Sequence, residues 1–176
     1  MKKTFFLMIV TFILFTTSAS ISVAQKYDFD SKEPMSVDEV YQVKGYTKNV
    51  DKVINEFEKK IDKDISIISI PQKIPFEVTK RFAKIEKESN LSIHYLGEDR
   101  KDIFQYTVNT ENLRDVENNN KLSNGKEVFI DTVKPNKIHS ILELVYKHQD
   151  IEYIMSIKIN EKYTKENLME TAESLK

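Results

Sequence analysis

Three histidines, His94, His139 and His148, are the side chains in this chain best suited to hold zinc or to move a proton near neutral pH. Their spacing fits no local motif. A zinc site would need His94 and His139 to meet across a sheet, and no His-Glu-x-x-His helix or cysteine pair supplies further ligands. Ordinary surface or structural roles account for all three. Two carboxylate pairs, Asp28 with Asp30 and Asp62 with Asp64, offer oxygen to a hard cation, but a calcium loop needs more oxygen ligands and a glycine at fixed spacing. They read instead as a solvated tether and a helix exit. No metal and no other cofactor is expected.

Covalent catalysis has little to work with. No Gly-x-Ser-x-Gly elbow is present, and the absence of cysteine closes the thiol route. Glycine occurs only at positions 45, 97 and 125, so no glycine-rich loop can cradle a phosphate. Glu98 and Asp99 are a carboxylate pair, but neighbours in one turn do not bracket a glycosidic bond. The residues therefore read as a non-enzyme, with a hydrolase of unfamiliar site as the alternative.

The remaining candidates are aromatic. Tyr95, Tyr106, Tyr146 and Tyr153 all fall on predicted strands, as do Phe104 and Phe129. Such rings commonly form core, yet a phenol tolerates a half-wet position, which makes these four tyrosines the candidate ligand-binding residues.

The elements that must position them follow from periodicity. Ile151, Tyr153, Met155, Ile157 and Ile159 recur at every second position, the period of a half-buried strand. Ile141 to Tyr146 is its more apolar partner, and the short link His148-Gln149-Asp150 predicts an antiparallel hairpin. Thr164 then caps a helix whose Leu168, Met169, Ala172 and Leu175 form one face. Upstream, Val50, Val53, Ile54, Phe57 and Ile61 make an apolar stripe behind Asn49 as cap, while Ser36 and Glu39 have the spacing of a capping box before a short helix that Gly45 ends. Strands are expected over 65–70, 76–81, 91–96, 103–108 and 126–133, with a long loop between Asn109 and Lys126 that holds the turn pair Asn124-Gly125. Phe82 and Ala83, with the charges after them, leave a helical continuation open. The expected fold is α+β: a largely antiparallel sheet carrying an N-terminal and a C-terminal helix.

Met1-Lys2-Lys3, the apolar run from Phe5 to Phe15 and the small and polar residues Thr16 to Ala24 have the three-part layout of a secretory signal. Cleavage is expected between Ala24 and Gln25, with Ala19 as the second site. An uncleaved membrane anchor is the alternative. The organisation is then a signal at 1–24, a tether with a short helix at 25–48, and one domain at 49–176. Of the 27 basic residues, losing Lys2 and Lys3 leaves 25 against 28 acidic, a formal charge of −3 that gives no excess to hold nucleic acid. Without cysteine there is neither a disulfide framework nor a lipid-accepting thiol. The expected location is secreted or in the cell envelope, outside the cytoplasmic membrane, and membrane contact follows only if the signal stays in place.

Ile68-Ser69-Ile70-Pro71 with Ile74-Pro75 behind it, then Tyr163-Thr164-Lys165-Glu166-Asn167-Leu168 and Ala172-Glu173-Ser174-Leu175, carry a resemblance. From about Ile65 to Lys176 the chain resembles a small extracytoplasmic bacterial domain of unknown function, found in Firmicute secreted proteins, lipoproteins and anti-sigma-factor ectodomains. Tryptophan, frequent on the family's late strands, is absent here, and no zinc-binding anti-sigma segment precedes the domain, so sigma-factor control is not carried over. The family brings no catalytic residues. Together the readings point to a non-catalytic binding or interaction module for a protein, cell-wall or lipid ligand. A membrane-anchored signalling ectodomain is the alternative beside the hydrolase.

Overall fold

The computed structural model describes residues 34–61, 69–87, 89–99, 101–134, 140–159 and 162–175. The chain divides into two compact units, Met1–Tyr46 and Thr47–Lys176. In the first, Ser36 and Glu39 close the expected capping box: the Ser36 amide donates to Glu39 Oε2 at 2.7 Å and the Glu39 amide to Ser36 Oγ at 3.3 Å. They start α1, Val37–Val43. Tyr41 and Tyr46 meet edge to face at 5.3 Å.

The second unit opens with α2, Val50–Lys60, where Asn49 Oδ1 accepts from the Lys52 amide at 3.2 Å and Val50, Val53 and Phe57 are buried. Seven antiparallel strands follow: β1 (Lys80–Glu86), β2 (Asn90–Leu96), β3 (Ile103–Asn109), β4 (Asn120–Lys121), β5 (Glu127–Val133), β6 (Ile141–His148) and β7 (Ile151–Lys158). Helix α3, Lys165–Glu173, closes the fold. The expected α+β architecture holds. The strand order β1-β2-β3-β7-β6-β5-β4 joins a three-stranded meander, β1 to β3, to a four-stranded one, β4 to β7, through β3 and β7. It also obliges the chain to cross β7, β6 and β5 between β3 and β4.

Cross-strand register fixes the faces. Tyr95 opposite Phe104, Tyr106 opposite Met155, and Tyr146 opposite Tyr153 place these rings on one face, where they form a single core with Phe57 of α2 and Leu168 and Ala172 of α3. Gln149 and Asp150 make the β6–β7 turn with φ of 50° and 59°, the left-handed two-residue loop whose twist matches a hairpin. Gly125 takes φ 84° in the β4–β5 turn, as the Asn-Gly pair predicts.

Two expectations need correction. The strand predicted over 76–81 begins only at Lys80, because its partner β2 ends opposite that residue at Leu96. It then runs on through Phe82 and Ala83, both fully buried, where a helix was the alternative. His148 closes β6 rather than sitting in the turn. The strand expected over 65–70 falls mostly outside the described residues, as do Asp28, Asp30, Asp62, Asp64 and His139.

Candidate functional site

A groove of about 430 Å³ opens beside α3. Gln72, Lys73, Ile74, Pro75, Phe76 and Val78 line one side, and Asn167, Glu170 and Thr171 the other. The side from Gln72 to Val78, which bends at Gln72, Pro75 and Phe76, is held at both ends. Pro71 bridges Leu175, and the amides of Gln72 and Lys73 donate to Ser174 Oγ at 3.0 and 2.9 Å. Ser174 caps the C-terminal end of α3, so the same residue that stops the helix anchors the segment. At the far end the Thr79 amide donates to the Leu96 carbonyl at 2.8 Å. Between these points Ile74, Phe76 and Val78 are half-buried and pack on the core.

The helix side is equally fixed. Asn167 Oδ1 accepts from the Thr164 amide at 3.0 Å across the first turn, and Thr171 Oγ1 donates to the Asn167 carbonyl at 2.9 Å. Behind the groove the Phe76 ring meets Tyr163 at 5.8 Å. Gly97 lies close by: a Cβ there would stand 2.6 Å from Asp102 Cβ and 3.1 Å from the Phe76 ring, so only glycine fits. Asp102, 6 % exposed, is paired with Lys162 at 2.8 Å. Burial raises the Asp102 carboxyl, but hydrogen bonds with Lys162 and Tyr163 and the nearby ammonium outweigh it and hold it below its ordinary value. The hydrogen bond to Asp102 raises Lys162 in turn.

The four tyrosines lie elsewhere. Tyr106, Tyr153, Tyr146 and His148 form a ladder of parallel rings, with centroid spacings of 6.2, 5.8 and 6.1 Å. Tyr95 packs against Phe104 at 5.8 Å. All four tyrosines are buried, and none lines the groove. The Tyr106 hydroxyl donates to the Ser69 carbonyl, Lys126 stands 4.9 Å above the Tyr146 ring, and the Tyr95 hydroxyl has no hydrogen-bond partner among the described residues. Burial pushes the Tyr95 phenol up to about 12 and raises Tyr106 and Tyr153 as well.

On the opposite face of the sheet, the β3–β4 crossover is held by a buried carboxylate. Glu152, wholly buried on β7, accepts from Asn109 Nδ2 and from the Arg114 amide, each at 2.9 Å. The Arg114 guanidinium pairs with Glu143, and Lys147 Nζ donates to the Arg114 carbonyl. This network gives the crossover a fixed path but no open site.

His94 and His148 are apart on β2 and β6, and the described residues hold no cluster of three or more metal-ligating groups. In the Glu98-Asp99 turn, Asp99 Oδ1 accepts from the Lys101 amide at 2.9 Å. The groove and Glu152 were both missed in the sequence. Phe76 and Val78 read as part of a strand and Ile74 as part of the bend before it, and the prolines at 71 and 75 were the signal that pairing is interrupted here. Glu152 read as the solvent side of an alternating strand. In comparisons with protein-family models, with curated proteins and with solved structures, the chain matches none.

Proposed function

We propose that the chain is a secreted or cell-envelope-associated binding module without catalytic activity, and that the groove beside α3 is its ligand-contacting surface. One observation carries this reading. The groove combines an apolar lining from Ile74, Pro75, Phe76 and Val78 with separated polar groups at Gln72, Lys73, Asn167 and Glu170, on walls tied down by hydrogen bonds. That mix of apolar surface and a few fixed polar groups is what a binding site needs for affinity and orientation together. The resemblance to an extracytoplasmic domain and the signal-like N-terminus support the location.

The test is a thermal-shift screen of the exported protein against cell-wall fragments, lipid vesicles, peptides and co-secreted proteins. A ligand at about a hundred times its Kd stabilises by roughly 2.7 kcal/mol, or about 5–10 °C for a domain this size. A hit that loses its shift in Lys73→Glu and Glu170→Lys supports the reading. Hits indifferent to both variants, or silence across the panel, overturn it. The apolar run Phe5 to Phe15 favours one second reading, an ectodomain held at the membrane by an uncleaved segment. Fractionation followed by intact-mass analysis separates the two, since a membrane-bound product retaining Met1 selects the second.

A further inference from the structure

We propose that Asn124 is a site of spontaneous self-modification, where the Gly125 nitrogen closes on the Asn124 side chain to form a succinimide, and that the grip of Glu173 on Ser123 sets how often the reaction can start. The site lies outside the groove and is independent of any ligand there.

Of the asparagines in the chain, only Asn124 precedes a glycine. Without a Cβ, Gly125 leaves its own nitrogen open to close approach. Both residues are exposed at the tip of the β4–β5 turn. Asn124 Oδ1 accepts from the Lys126 amide at 3.1 Å, two residues on, so the side chain is folded forward over the peptide that joins it to Gly125. That fold brings Cγ to the side of the Gly125 nitrogen, and it aims the Lys126 N–H at the oxygen on which charge develops. The Gly125 nitrogen adds to Cγ, its proton passes through water to Nδ2, and the Cγ–Nδ2 bond breaks to release ammonia. Water then opens the imide, at Cγ to give aspartate or at the main-chain carbonyl to give isoaspartate. No oxidant or reductant enters the balance.

The folded turn holds this reaction back. The Gly125 amide donates to the Leu122 carbonyl at 3.0 Å, and its nitrogen cannot attack while that bond keeps the hydrogen in place. The Leu122 amide donates in turn to the Lys126 carbonyl at 2.8 Å, and the Leu122 side chain is buried. The tip must therefore open first. Strand β4 has only two residues and lies at the sheet edge, which puts this opening at the low end of local stabilities. Its fastening is Glu173 on α3, whose Oε1 accepts from the Ser123 amide at 2.6 Å. Side-chain and main-chain hydrogen bonds from Ser123 hold the Glu173 carboxyl below its ordinary value, so the anion is the form that grips. Lys165 adds a hydrogen bond from the same helix to Asn120 Oδ1.

Peptide mapping by mass spectrometry of the exported protein, incubated in mildly alkaline buffer beside a synthetic peptide of residues 120–128, tests this. Amide-to-acid conversion with an isoaspartyl product is expected at Asn124 before any other asparagine, and more slowly in the folded protein than in the peptide. Glu173→Ala should speed it about tenfold, because hydrogen bonds to a charged acceptor are lost, and Ser123→Ala, which keeps the amide bond, by less. Asn124→Gln should abolish it. Tyr106→Phe loses a bond at the distant Ser69 and should leave the rate unchanged, which separates release of the turn from global unfolding. Conversion first at another asparagine overturns the proposal, as does a native rate equal to the peptide's. A rate indifferent to Glu173→Ala, or raised equally by Tyr106→Phe, overturns the role of Glu173.

Discussion

Replacing Glu152 with glutamine keeps the shape of the side chain and removes its charge, which isolates what this carboxylate does for the β3–β4 crossover. Glu152 is fully buried and accepts two hydrogen bonds at 2.9 Å, one from Asn109 Nδ2 and one from the Arg114 amide. A bond to a charged acceptor contributes roughly 1.5–3 kcal/mol. Glutamine keeps one acceptor for the Arg114 amide, and it offers its new donor to Asn109 Oδ1, which is buried without a partner among the described residues, once that side chain turns over. What is lost is then the charge behind both bonds and the 3.8 Å ion pair with the Arg114 guanidinium. Water reaching the exposed Arg114 offsets part of the loss. The expected cost of Glu152→Gln is therefore about 2–3 kcal/mol, or roughly 4–10 °C in Tm. Glu143 is the control. It pairs with the same guanidinium from the outer end of the network, where Arg114 is 41 % exposed, and such a pair contributes about 0–1 kcal/mol. Urea unfolding of both variants, with amide exchange read across residues 110–119, checks the difference. If Glu152→Gln costs less than about 0.5 kcal/mol, or no more than Glu143→Gln, the carboxylate does not hold the crossover and the reasoning fails.

Tyr106→Phe removes only the hydroxyl that donates to Ser69, so urea unfolding should show a loss of about 1 kcal/mol with unchanged ring packing. Asp102 is held below its ordinary 3.8, so its contribution is complete above that value and is lost as pH falls through the lower native one. Asp102→Asn should flatten the acid limb of the stability profile below pH 4, measured by thermal melts across pH. Tyr95 has the opposite sign: raised from 10.0 to about 12, it stabilises fully below pH 10 and loses that contribution as pH climbs toward 12. The part of the tyrosinate absorbance that Tyr95→Phe removes should therefore appear together with unfolding rather than before it, and that variant should reduce the alkaline loss.

Periodicity made the sheet legible because side chains on a strand report its faces directly. Tyr153, Met155 and Ile157 are core for the reason their spacing implied, and the α2 stripe from Val50 to Phe57 packs as its helical period predicts. The same rule misled at Glu152. Alternation assigns that position to the outer face correctly, but it cannot say that a crossover more than thirty residues upstream in sequence will cover that face. The groove failed for a related reason. Strand character at Phe76 and Val78 is a local property, whereas pairing depends on where the neighbouring strand stops, and β2 stops at Leu96. The ligand-candidate tyrosines were placed on the right elements, and the sequence could not tell a ring facing two helices from one facing a cavity.

The strand order explains why stability and binding should be separable here. Joining two meanders through β3 and β7 leaves the crossover at 110–119 outside the sheet, and the bent segment at 72–79 lies outside it ahead of β1. The first is sealed: Glu152 and Glu143 grip Arg114, and Lys147 grips its carbonyl. The second is pinned only at Ser174 and Leu96, and between them the amides of Ile74, Phe76, Glu77 and Val78 have no main-chain acceptor among the described residues. Burying such amides without partners would cost about 1–3 kcal/mol each, so at this surface they must meet water or a ligand. Charge reversal at exposed Lys73 or Glu170 should then change ligand affinity while leaving the urea midpoint within about 0.5 kcal/mol of the parent. Glu152→Gln should do the reverse. A Glu152 variant that stays folded but loses the ligand would show that the two segments are coupled through the sheet, and the division of labour drawn from the topology would have to be abandoned.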